Sequence, residues 1–120
     1  RVKYLDISSN VVTVDLSQAQ TFICTATSDI TQFTLTNLPI QATSFTLRVE
    51  QDATGSRSVG IDTFKTTGGS TIPVYWPGNV VPQVTTTASR TDIYSFKIFD
   101  GSNPTTSGLY GVVSGQNFLN

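Results

Sequence analysis

Ser44-Phe45-Thr46-Leu47-Arg48-Val49-Glu50 alternates apolar and polar side chains without a break. A pleated strand sends successive side chains to opposite faces. Phe45, Leu47 and Val49 therefore face a core, and Thr46, Arg48 and Glu50 face water. The same rhythm returns in Ile93-Tyr94-Ser95-Phe96-Lys97-Ile98-Phe99, with Tyr94, Phe96 and Ile98 on one face. Upstream, Val12-Thr13-Val14-Asp15-Leu16, the series Phe22, Cys24, Ala26, and the pair Phe33 and Leu35 follow it too. Further strands are expected at Ser58–Phe64, around Ile72 and Val74, and at Leu109–Val113.

Turn clusters separate these runs. They are Asn37-Leu38-Pro39, Asp52-Ala53-Thr54-Gly55, Thr67-Gly68-Gly69-Ser70, Trp76-Pro77-Gly78-Asn79 and Asp100-Gly101-Ser102-Asn103-Pro104. Each carries the Gly, Pro, Asn or Asp that tight turns need. No segment shows an apolar helical stripe, no internal repeat is evident, and no linker divides the chain. The expected fold is all-β: an antiparallel β-sandwich, jelly-roll or immunoglobulin-like, of eight or nine strands in one domain spanning 1–120. The many threonines agree, because on the wet face of an antiparallel sheet they add β propensity without an apolar patch.

Composition narrows the function. The 120 residues are 38% hydrophobic and 12% charged, with a net charge of -1. Arg1, Lys3, Arg48, Arg57, Lys65, Arg90 and Lys97 are scattered singly, whereas nucleic acid demands a cationic cluster. Nucleic acid is therefore not an expected partner. No apolar run approaches the ~20 residues that span a bilayer as a helix, so membrane insertion is not expected. The start, Arg1-Val2-Lys3-Tyr4, is no signal peptide and lacks an initiator methionine, and reads as a processed product or part of a longer chain. Cys24 is the one cysteine, placed in an alternating stretch as a buried free thiol.

The chain contains no histidine, which removes the commonest general base and metal ligand. Ser-His-Asp and Cys-His arrangements are excluded with it. Glu50, Asp52, Asp62, Asp92 and Asp100 could pair as acid and base only by meeting in space. Their positions at strand edges and turns suit the capping of backbone groups instead. Asp52-Ala53-Thr54-Gly55 is similar to an aspartic-protease triplet with one residue inserted, and reads as a turn. Asp100-Gly101-Ser102-Asn103 lacks the further carboxylates of a calcium loop. The expectation is a protein that is not an enzyme, with no catalytic residues, no cofactor and no metal. Thr-x-Thr units at 25/27, 34/36 and 85/87 are too irregular for ice binding. Tyr75 and Trp76, beside a Pro-Gly turn, are the candidate ligand or partner contact, as an aromatic pair that could stack on a sugar. The plainer role for Trp76 is to cover one end of the core.

The second half of the chain carries an ordered series of motifs. It runs Ser44-Phe45-Thr46-Leu47, Glu50-Gln51-Asp52-Ala53-Thr54-Gly55-Ser56-Arg57, Trp76-Pro77-Gly78, Pro82-Gln83-Val84-Thr85-Thr86-Thr87-Ala88, Asp92-Ile93-Tyr94-Ser95-Phe96 and Gly115-Gln116-Asn117-Phe118. In order and spacing, over roughly 44–118, it resembles a module of tail-fibre and other virion proteins of marine phages, especially cyanophages. The chain departs from that module in lacking a second Trp-Pro after Val59 and in carrying an inserted 66–75 stretch. The resemblance implies a β-sandwich with a Thr-rich strand at 82–88, on the outer surface of a bacteriophage virion. The function it implies is a non-enzymatic structural module of a tail fibre or similar appendage, with a host-attachment role. Expected partners are other virion proteins, further copies of the chain in a homo-oligomer, with a trimer favoured as in fibres, and a host surface glycan. Two alternatives remain: a capsid decoration protein that stabilises the head by binding the assembled shell, and a carbohydrate-binding module using Tyr75 and Trp76.

Overall fold

The computed structural model describes residues 1–120. Its strands are β1 (Val2–Leu5), β2 (Ile7–Ser8), β3 (Val11–Asp15), β4 (Thr21–Ala26), β5 (Gln32–Thr36), β6 (Thr43–Gln51), β7 (Phe64–Thr66), β8 (Thr71–Ile72), β9 (Val74–Tyr75), β10 (Arg90–Ile98) and β11 (Leu109–Leu119). One helical turn, α1 (Pro104–Ser107), precedes β11. The protein is all-β and sandwich-like, with a six-stranded sheet ordered β1-β4-β6-β10-β11-β9 and a five-stranded sheet ordered β2-β3-β5-β7-β8.

Both sheets are mixed, and this corrects the antiparallel expectation. From β3 to β7 the chain crosses between sheets at every step and lays each new strand parallel to an earlier one. Thus β4 pairs with β1, β5 with β3, β6 with β4 and β7 with β5, all parallel. Parallel neighbours need a long crossover, and here the crossover is a strand of the opposite sheet. The winding is that of a β-helix rather than of a jelly roll or an immunoglobulin domain. Antiparallel pairings follow after β7: β8 reverses against β7, β10 against β6 and β11 against β10.

Strand number also exceeds the expected eight or nine. Ser58–Phe64 does not form the expected strand, because Val59 makes only an isolated bridge to Ile30. The backbone then turns, with Ile61 N donating to Val59 O and Thr63 N to Gly60 O, and regular pairing starts at Phe64. Pro73 separates Ile72 and Val74, which fall in different sheets. The Thr-rich 82–88 segment, expected as a strand, lies outside every strand.

The in-and-out pattern holds where the alternation is cleanest. Phe45, Leu47 and Val49 are buried on β6, as are Tyr94, Phe96 and Ile98 on β10. Twenty buried hydrophobic residues form one core cluster. At its centre Phe45 stacks on Phe96 within the six-stranded sheet, with centroids 5.1 Å apart, and Phe33 on Phe64 within the other, at 5.2 Å. Phe64 bridges the layers, lying 5.0 Å from Phe96 and 6.5 Å from Phe45. Offset and tilted pairs of this kind add to the energy of simple burial. Replacing Phe96 by Ala removes the ring that meets both layers. The expected loss is about 3–5 kcal/mol of unfolding free energy, read by urea denaturation of the purified chain.

Candidate functional site

Asp92 is only 1% exposed although it carries a carboxylate, as deeply buried as the neutral Gln51. It lies within β10, not at a strand edge or turn as the sequence suggested. Its Oδ2 accepts from Thr85 N at 2.8 Å, Tyr94 Oη at 2.9 Å and Gln116 Nε2 at 3.2 Å. Its Oδ1 accepts from Asn117 N at 2.9 Å. Burial pushes the Asp92 carboxyl up, but the backbone amides of Thr85 and Asn117 and the Tyr94 hydroxyl outweigh it, and the net shift is downward. The Tyr94 hydroxyl moves upward, through burial first and then the Asp92 charge, so it stays a donor.

These bonds fasten three pieces of chain. Thr85 belongs to the irregular 80–89 segment, Asp92 and Tyr94 to β10, and Gln116 and Asn117 to β11. Register shifts in the β10–β11 ladder accompany a positive φ of 64° at Asn117. That irregularity turns the Asn117 amide toward the carboxylate. Arg57 N donates to Gln51 Oε1 and Gln51 Nε2 to Arg57 O, so a buried side chain imitates a strand partner. Gly55, at φ 70°, lies against Ala88, where an added Cβ would approach the Ala88 nitrogen to 2.7 Å. Asn120 Nδ2 donates to Gln51 O, and Thr91 Oγ1 to Asn120 Oδ1.

The other carboxylates are occupied separately. Asp52 holds Arg57 at 3.0 Å and caps the amides of Thr54 and Gly55, and its pKa falls accordingly. Asp62 accepts from Trp76 Nε1 at 2.7 Å. Asp100 caps its turn through Ser102 and Asn103, and Glu50 pairs with Arg48 at 2.7 Å. No three Asp, Glu or Cys side chains gather into a metal-binding group. Cys24 is fully buried, and burial, with a smaller push from Glu50, raises its thiol to about 12. The thiolate that would react is scarce at neutral pH.

Tyr75 and Trp76 are adjacent in sequence and part company in space. Trp76 is 7% exposed and packs edge-on against Tyr94 and Phe96. It approaches β11 so closely that a Cβ on Gly111 would lie 2.6 Å from its ring. Tyr75 points outward at 44% exposure and lies 5.2 Å from Tyr110, its register partner on β11. Tyr110 in turn meets Phe99 edge to face at 5.5 Å, and Lys97 Nζ sits 5.5 Å from the Phe99 centroid. Beside Phe99 and Tyr110 runs a trough of about 510 Å³ on the outer face of the six-stranded sheet. Ser44, Thr46 and Ser95 provide small polar side chains, Phe99, Tyr110 and Val112 the bulky apolar ones, and Lys97 the one charge.

Phe99 and Tyr110 were not among the sequence candidates, although a signal existed. With Tyr94, Phe96 and Ile98 inward, alternation sends Phe99 out, and Tyr110 stands out between Leu109 and Gly111. Comparison with family models, curated proteins and solved structures finds no match for this chain.

Asp92→Asn replaces an acceptor of all these donors by a group with only one acceptor atom. The expected loss is about 1–3 kcal/mol at neutral pH. Because the folded pKa of Asp92 lies below its unfolded value of about 3.9, its contribution is complete above that value. It is lost as pH falls through the folded pKa. The wild type should therefore lose its advantage over Asp92→Asn on acidification, measured as the difference in urea-derived stability from pH 7 downward.

Proposed function

We propose that this domain is a non-enzymatic structural module of a bacteriophage particle, carried on a tail fibre or similar appendage and self-associating there. The observation that carries the reading is what the motif series does. Gln51-Asp52, Gly55 to Arg57, Thr85, Asp92, Tyr94 and Gln116-Asn117 interlock as scaffold, linked through hydrogen bonds and close backbone packing. Residues spent on holding a shape suit a module whose task is to be a durable shape.

The surface supports self-association. Beyond Tyr110, β11 has β10 as its one strand partner. It carries no charged residue and exposes Val112, Val113, Phe118 and Leu119. Natural sheet edges are usually guarded by charge, proline or cover. Here register shifts at Ser114 and at Gln116-Asn117 interrupt the far end, while Gly111–Val113 carries no charge and no proline. An unguarded, uncharged edge is suited to pairing with another chain.

Gold-labelled antibody against the domain, applied to intact particles, should mark tail appendages. Label spread over the head would replace the fibre reading by capsid decoration, and purified particles free of the protein would overturn the virion assignment.

A further inference from the structure

We infer that the outer-face trough is a saccharide site, and that its ligand is an acidic oligosaccharide. The inference deepens the proposed function by naming what the appendage would bind, and rests on it only for where such a glycan would be met. The trough combines two surfaces that one partner rarely matches. Tyr110 and Phe99, 47% and 60% exposed, offer apolar ring surface to solvent. Alongside, Ser44, Thr46 and Ser95 bring hydroxyl groups. Ser95 Oγ already shares a 2.6 Å hydrogen bond with Ser114.

A protein partner with an apolar face would bury those hydroxyls and the Lys97 ammonium without compensation, which costs free energy. A pyranose has both characters. Its axial C–H face lies against a ring whose π-face is negative, and its equatorial hydroxyls trade water for serine and threonine. Charge then selects among sugars. Lys97 is the single ionised residue of the lining, and it has no carboxylate within 4.0 Å. A uronate or similar acid stacked on Tyr110 would place a carboxylate within its reach, forming a charge-assisted hydrogen bond. Tyr75, tilted 39° against Tyr110, extends the ring surface along the sheet, which suits a chain of sugars rather than one. Trp76, buried behind Gly111, takes no part.

The test is an NMR titration of the whole chain with tetragalacturonate, with cellotetraose as an uncharged oligosaccharide of equal length. Aromatic and methyl signals of Phe99, Tyr110 and Val112 should shift with tetragalacturonate. Lys97→Gln should weaken that binding about tenfold, the equivalent of one charge-assisted contact, and leave any cellotetraose response unchanged. Tyr110→Ala should abolish both responses while thermal melting reports an intact fold. Absence of shifts with either sugar, or undiminished binding by Tyr110→Ala, overturns the inference. So do shifts at these residues that follow protein concentration alone, because they would mean that a second copy covers the trough. Each of these failures leaves the particle location read by gold labelling unaffected.

Discussion

A carboxylate taken out of water must be met by donors, and Asp92 imposes that demand at the junction of β10, β11 and the irregular 80–89 segment. Two of its donors are backbone amides, from Thr85 and Asn117, which no side-chain substitution elsewhere can supply. Meeting them fixes the course of the chain. The Thr-rich segment is drawn beside β10 rather than into a ladder of its own, and β11 is bent where regular pairing would have aimed Asn117 elsewhere. The same segment then receives the Gln51–Arg57 loop, since Ser56 N donates to Thr86 O and Ser89 N to Asp52 O. One buried charge thus organises three stretches that alternation leaves undefined.

The phenylalanine cluster answers a different need. Strands β1 and β3 to β7 wind from sheet to sheet, so neither sheet can be completed without the other. Phe33, Phe45, Phe64 and Phe96 fill the space between the layers, and Phe64 touches rings from both. Parallel strands are usually covered on both faces. Here β4 and β6 keep Thr25, Ser44 and Thr46 on the outer side, and the polar outer face remains available for the trough.

Much of this was legible in the residues. The strands at 44–50 and 93–98, their buried faces and the burial of Cys24 follow from two-residue alternation. Strand direction does not, because alternation is identical in parallel and antiparallel pairs. Nor did a constant period betray the winding: Val2 lies beside Thr21 and Thr21 beside Thr46, unequal steps along the chain. The resemblance implied a Thr-rich strand at 82–88, but the hydrogen bond from Thr85 to Asp92 prevailed over β propensity. Tyr75 and Trp76 were singled out together, yet neighbours on extended backbone face opposite ways. Tyr75 joins the outer aromatic group and Trp76 the core. Its true companions, Tyr110 and Phe99, come from β11 and the end of β10, and only pairing register brings them together.

Asp92 holds the 80–89 segment and β11 as firmly as a strand ladder would. Native-state hydrogen exchange at Thr85 and Asn117 reads this directly, since both amides donate to the carboxylate and neither residue has a register partner in a ladder. Both should exchange as slowly as ladder amides of β6 and β10 near neutral pH. On acidification through the Asp92 pKa they should lose protection, relative to intrinsic exchange rates, before the ladder amides do. Exchange at the rate of an exposed loop, or protection that survives protonation of Asp92, would contradict the claim.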